Sequence, residues 1–192
     1  GTCTIAADQA GDMSYAAAPQ VTEDILIGQA DQTITFGAQS PQTFVPNGTF
    51  ALSPVAITSS GLPVTYSTTT SSVCSINNTT VTMLSAGTCT IAANQAGDAN
   101  YTVAPQVTQN IVVGQATQAI TNVIATPSNP TYVPNGTFAL SATPGASTSP
   151  VVFASTTPAI CTVSGSTVTM LAAGTCSLTA NQAGDANYTA AP

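Results

Sequence analysis

The chain repeats itself. Residues 81 to 105, VTMLSAGTCTIAANQAGDANYTVAP, return as residues 168 to 192, VTMLAAGTCSLTANQAGDANYTAAP, with 20 of 25 positions identical at an offset of 87. Residues 1 to 19, GTCTIAADQAGDMSYAAAP, match the same block at an offset of 86, and FVPNGTFALS at 44 to 53 comes back as YVPNGTFALS at 132 to 141, an offset of 88. Such a period means that one supersecondary unit is copied along the chain, each copy burying its apolar face within itself or against a neighbour. Small loop insertions account for the drift in offset. The seams fall at ILIG (25 to 28) and IVVG (111 to 114), each followed by Gln-Ala and a new apolar run, so linkers are about three residues long. The chain then divides into the C-terminal strands of a truncated repeat (1–28), a complete repeat (29–114) and a repeat lacking its last strand (115–192). It opens at Gly1 without Met, and both ends lie at the same point of a unit, which leads to the expectation of a piece of something longer.

Within the complete repeat the apolar residues recur with period two. The runs are QTITF (32 to 36), TFALS (49 to 53), PVTYST (63 to 68), VCSI (73 to 76), TTVTML (79 to 84), TCTIAA (88 to 93) and VTQNIVVG (107 to 114). They are rich in Thr, Val, Ile and Tyr, and Pro-Asn-Gly, Asn-Asn and Ala-Gly punctuate them where a turn needs positive or preset φ. No segment carries a helical stripe over three turns. The reading is all-β, as tandem immunoglobulin-like β-sandwich repeats with a period of about 87 residues, a length suited to the roughly 100 residues of that sandwich. Alternation assigns Phe36, Phe50, Leu52, Tyr66, Ile76, Val81, Met83, Ile91 and Tyr101 to one core. Phe138, Leu140, Phe153, Val163, Val168, Met170, Leu178 and Tyr188 are their counterparts.

The run SVCSINNTTVTMLSAGTCTIAA, a short strand, a polar turn, a Val-Thr strand and an Ala-Gly-Thr-x-x-Ile strand, resembles the central signature of bacterial immunoglobulin-like (Big-type) repeats. The resemblance covers the whole chain, since both repeats and the leading fragment carry AGT or GTC motifs. It implies long arrays in bacterial surface proteins, adhesins among them, in which many copies act as a stalk. The chain departs from the family by placing Cys where a small apolar residue is common, and by lacking basic residues.

Cys74 and Cys89 are fifteen residues apart, and Cys161 and Cys176 repeat that spacing one unit later. Both pairs are expected to be disulfides within a repeat, which would place the protein in an oxidising compartment. Cys3 aligns with Cys89 and Cys176 and is expected to lack a partner within the chain. The alternative is free thiols packed as small apolar residues.

Charged residues make up 4% of the chain, with no Lys, Arg or His and a net charge of −7. Nucleic acid and anionic membrane surfaces, both bound through Lys and Arg clusters, are excluded as partners. No apolar run approaches the roughly 20 residues of a membrane-spanning helix. Without His or Lys there is no base working near pH 7, and the Ser and Thr hydroxyls have no activating partner, so no catalytic residue and no enzyme activity is expected. No cofactor and no metal is expected either. Asn94, Asp98 and Asn100, with Asn181, Asp185 and Asn187, offer oxygen ligands for calcium, but one carboxylate per loop makes a poor site, and capping of local backbone is the stronger reading. Sequons at Asn47, Asn77, Asn78, Asn100, Asn135 and Asn187 are what an Asn- and Thr-rich chain produces by chance, and Asn47-Gly48 and Asn135-Gly136 read as turns.

The expected function is therefore a semi-rigid stalk or spacer segment of an extracellular or cell-surface, adhesin-like bacterial protein. Its partners would be neighbouring repeats of the same or identical chains, homo-polymers included. The alternative is a self-assembling extracellular filament with strand exchange or lateral packing between chains, and a direct ligand-binding module ranks third. One outcome follows from composition alone: trypsin leaves the reduced, unfolded chain intact, checked by mass spectrometry of the digest, because it offers no Lys or Arg.

Overall fold

A computed structural model describes residues 1–191, and among them all regular structure is β. Residues 1–28 hold β1 (Thr2–Gln9) and β2 (Ala18–Leu26). Residues 29–114 hold β3 (Ile34–Thr35), β4 (Gln42–Thr43), β5 (Thr49–Ala51), β6 (Ile57–Thr58), β7 (Thr65–Thr68), β8 (Cys74–Asn77), β9 (Thr80–Met83), β10 (Gly87–Asn94) and β11 (Val107–Gly114). Residues 115–191 hold β12 (Thr121–Thr126), β13 (Thr137–Thr143), β14 (Val151–Ser155), β15 (Cys161–Ser164), β16 (Thr167–Met170) and β17 (Leu178–Gln182).

In residues 29–114 a sheet in the order β4-β11-β10-β7 accompanies a sheet in the order β5-β9-β8 and a two-stranded β3-β6 pair. Alternation decides which side chains meet between them. Along β11, Ile111 and Val113 are buried while Asn110 and Val112 are exposed, and on β9 Val81 and Met83 point inward. With Ile34, Phe36, Phe44, Leu52, Cys74, Cys89, Ile91 and Ala93 they form one apolar cluster. Ile91 and Val81 are fully buried, and each contributes about 1.5–3 kcal/mol relative to an exposed position. None of the seventeen residues assigned to the core from alternation is exposed. Phe44, Ile34, Ile111 and Val113 join it without having been on that list.

Seven strands were expected here and nine are present. The additional two, β4 and β6, have two residues each, too short to show an alternation. β4 exists because the extended backbone after Pro41 runs parallel to the end of β11, with Val113 opposite Gln42 and Gly114 opposite Thr43. The turn readings hold at Asn47 and Asn135, whose φ values of 54° and 56° lie in the left-handed region that Asn tolerates.

The other segments are less complete. In residues 115–191 a β12-β13-β16-β15 sheet faces the β14-β17 pair, and the buried cluster comprises Phe138, Leu140, Cys161 and Val168. β1 and β2 form an antiparallel hairpin exposed along its whole length, with Ile5, Val21, Ile25 and Ile27 open to solvent.

Cys74 bonds Cys89 and Cys161 bonds Cys176, each across a Cα–Cα distance of 5.7 Å. The first bond joins two sheets rather than adjacent strands of one sheet, Cys74 sitting on β8 and Cys89 on β10, whereas the second runs from Cys161 on β15 to Cys176 just before β17. Such bonds belong to an oxidising compartment. Replacing Cys74 and Cys89 together by Ala lowers the unfolding free energy by about 3 kcal/mol, the loop-closure term for this separation. Urea melts measure the loss, and far-UV circular dichroism shows the β signal retained, because Val81, Ile91 and Ile111 still bury the core.

Candidate functional site

The sequence NQAGDANY and its variants build the same loop three times. In each the Asp carboxylate turns back onto the backbone two and three residues ahead. Asp98 Oδ1 accepts from the amides of Asn100 (2.8 Å) and Tyr101 (2.9 Å), Asp185 Oδ1 from Asn187 (2.8 Å) and Tyr188 (3.0 Å), and Asp12 Oδ1 from Ser14 (2.7 Å) and Tyr15 (2.9 Å). An acceptor-only carboxylate beside free N–H groups makes this turn without further help. The backbone also closes the loop, with the amides of Asp98 and Asp185 donating to the carbonyls of Tyr101 and Tyr188. Of the neighbouring asparagines, Asn94 Oδ1 accepts from Gln106 Nε2 at 2.6 Å. The side-chain oxygens of Asn94, Asp98, Asp185 and Asn187 thus accept hydrogen bonds from the protein itself. Among the described residues no three His, Cys, Asp or Glu side chains come together.

Asp185 has an additional partner. The backbone amide of Thr148 donates to its Oδ2 at 2.9 Å, and this bond, followed by those from Asn187, Tyr188 and the Thr148 hydroxyl, holds the carboxyl below the usual aspartate range against the opposing effect of burial. The counterpart of Thr148 is Gly61.

Behind the loops at Asp98 and Asp185 lies a buried glutamine pair that the sequence pattern does not mark. Gln32 Nε2 donates to Gln95 Oε1 and to the carbonyl of Thr102, and the Ser60 hydroxyl donates to Gln32 Oε1. In the following unit Gln118 Nε2 donates to the carbonyl of Thr189, Gln118 Oε1 accepts from the amide of Ser147, and Gln182 Nε2 donates to the carbonyl of Ser149. Gln32 and Gln182 are 3% and 1% exposed, so an unmet amide would be costly. Among the described residues no buried side-chain nitrogen or oxygen lacks a partner.

These loops are fastened to the seams. Ala30 donates to the carbonyl of Asn100 and accepts from Thr102, and Ala116 does the same with Asn187 and Thr189. Gln29 Nε2 reaches the carbonyl of Asp98 at 2.6 Å, and Gln115 Nε2 that of Asp185 at 2.7 Å. The loop at Asp185 also touches residues of the 29–114 segment. Asn187 Oδ1 accepts from the amide of Ala86 at 2.8 Å, and the Tyr188 ring stands edge-on to Phe44, with centroids 5.9 Å apart and planes at 80°. Tyr188 packs against the same apolar cluster as Ile91 and Val113. Between Gly114, whose carbonyl accepts from Phe44 N, and Ala116, whose backbone is bridged to Tyr188, only Gln115 intervenes. The linker is shorter than the three residues expected.

Cys3 is exposed and free. The Asn187 sequon lies at the junction with its side chain half-buried, whereas the equivalent Asn100 is exposed. No protein-family model matches this chain, and no curated protein matches it.

Because the carboxyl of Asp185 titrates lower folded than unfolded, its contribution to stability is complete above the ordinary aspartate range and is lost as pH falls through the lowered folded value. Thermal midpoints of the wild-type chain and of Asp185→Asn, compared from pH 7 to pH 2, therefore differ most at the neutral end and converge in acid.

Proposed function

We propose that this chain is a structural segment of an extracellular or cell-surface protein. Its units are tandem immunoglobulin-like sandwiches of about 87 residues, divided at 1–28, 29–114 and 115–192, and they act as a semi-rigid stalk or spacer of the adhesin-like kind. The role is reach and stiffness, with no catalytic step. Its partners are neighbouring repeats.

The observation that carries this reading is the junction. A flexible string of domains needs a linker whose backbone is free, and here residues on both sides of Gln115 are hydrogen-bonded while Tyr188 is seated on Phe44 of the preceding unit. The contact comes from a loop that the sequence copies with every unit, so a longer array would repeat it at every seam. Nearest-neighbour packing of this kind makes an array stiff in proportion to its interfaces. The disulfides suit an oxidising, extracytoplasmic setting.

Strands of this kind rise about 3.3 Å per residue, so eight to ten residues with end loops give each unit a length of roughly 30 to 40 Å. Small-angle X-ray scattering of the 192-residue chain is expected to give an elongated particle, with a radius of gyration well above the about 16 Å of a compact globule of this size. Tyr188→Ala keeps the β signal but broadens the distribution of distances as the seam loosens. A compact particle, or a variant whose scattering matches the wild type, would remove the basis of the reading.

A further inference from the structure

Each disulfide has one sulfur set against a pair of hydroxyl groups, and the arrangement is copied with the unit. Thr68 Oγ1 lies 3.4 Å and Thr70 Oγ1 3.7 Å from Cys74 Sγ. At the equivalent place Ser155 Oγ lies 3.2 Å and Thr157 Oγ1 3.7 Å from Cys161 Sγ. Where the copies differ, Thr68 against Ser155, the methyl is given up and the hydroxyl is kept. Among the described residues no hydroxyl comes within hydrogen-bonding reach of the sulfur of Cys89 or Cys176.

The protons of these hydroxyls give the contacts a direction. Each oxygen already accepts from a backbone amide: Thr68 from Thr70 (3.1 Å), Thr70 from Thr90 (2.8 Å), Ser155 from Thr157 (3.1 Å) and Thr157 from Ser177 (2.9 Å). A hydroxyl that accepts in this way still has its one proton to donate. Ser155 and Thr157 face the Cys161 sulfur with it, whereas for Thr68 the carbonyl of Thr90 at 3.1 Å competes, and for Thr70 the Thr68 hydroxyl at 3.4 Å. The opposing carbonyls of Thr70 and Thr157 stand 4.0 Å from the sulfurs.

Against an intact disulfide such contacts are weak, but hydrogen bonds to an ionised acceptor are roughly twice as strong as neutral ones. A thiolate released at Cys74 or Cys161 is met by donors already in place, and one released at Cys89 or Cys176 is not. The donors are also local to the sulfur they serve. The amide of Cys74 donates to the carbonyl of Thr70, and that of Cys161 to the carbonyl of Thr157, so hydroxyl and sulfur share one turn and stay together when the partner cysteine is drawn away. Cys74 and Cys89 are both 0% exposed, so a local opening of this kind precedes any attack on the bond.

We propose that each disulfide is polarised and that Cys89 and Cys176 are the sites at which a small-molecule thiol is attached. The attacking thiolate bonds to the sulfur of Cys89 or Cys176, the S–S bond breaks, and its electron pair leaves on Cys74 or Cys161. A second thiolate then attacks the mixed disulfide, releasing Cys89 or Cys176 as thiolate and carrying away the oxidised thiol dimer, so that the protein gains two electrons and the two thiols lose them. The better-stabilised sulfur leaves faster, and this sets the direction of exchange. The inference goes beyond the spacer reading and does not depend on it.

The test treats the 192-residue chain, in a Cys3→Ser background, with reduced glutathione and quenches it in acid at intervals. Pepsin digestion in the acid and tandem mass spectrometry then locate the attached glutathione. It is expected on Cys89 rather than Cys74, and on Cys176 rather than Cys161, by about tenfold or more. Ser155→Ala brings the second ratio to within about threefold of unity and leaves the first unchanged, while Ser155→Thr keeps the preference. Equal labelling within a pair, labelling that favours Cys74 or Cys161, or the absence of any glutathione adduct overturns the proposal. So does a preference that survives Ser155→Ala and Thr68→Val undiminished, which would assign it to access rather than to the hydroxyls.

Discussion

Seven carboxylates share this chain with not one basic side chain, so a negative charge here has only N–H and O–H groups to turn to. Much of the architecture follows from that. Asp12, Asp98 and Asp185 each spend an oxygen on backbone amides two and three residues ahead, and the loops so shaped at Asp98 and Asp185 bond Ala30 and Ala116. Surface pairs made elsewhere by Lys and Glu are replaced by neutral ones such as Thr90 with Asn110, or by Thr4 with Asp24. Hydrogen bonds of this kind contribute about 1 kcal/mol each but do not fade with salt as exposed ion pairs do. The only covalent reinforcement among the described residues is the pair of disulfides, one in each of residues 29–114 and 115–191.

The same economy governs the interior. Gln32 and Gln95, and Gln118 and Gln182, occupy places where an apolar side chain would leave the carbonyls of Thr102 and Thr189 without these partners. A satisfied buried network is worth more as a specifier than as a source of stability, since it admits one arrangement of the loops it joins. It links the start of a unit, at Gln32 or Gln118, to the loop near its end, at Gln95 or Gln182. The contact from Asn187 to Ala86 carries that order into the neighbouring unit.

The strands were legible wherever side chains alternate over four or more residues. β7 to β11 lie within about a residue or two of the runs VTYST, VCSI, TTVTML, TCTIAA and VTQNIVVG. β4 and β6 were not legible, because two residues carry no period and their pairing depends on where β11 and β3 end up. The cysteine spacing suggested a bond but not that it would cross between sheets, a matter of which face Cys74 and Cys89 take in strands far apart in the ladder. The junction was hidden for a similar reason. Tyr188 reads as one more core aromatic, and nothing in its own alternation says that the ring it meets, Phe44, belongs to the unit before it.

The position of the disulfide also governs how a unit yields to tension. A chain pulled from its two ends unravels between its points of attachment, but the stretch from Cys74 to Cys89, fifteen residues long, is closed on itself and stays slack-free. At about 3.4 Å per extended residue, each opened unit lengthens by about 50 Å less than its residue count allows. The closed loop contains β9, which holds Val81 and Met83. The bond thus caps the extension that residues 29–114 can reach while it stays oxidised.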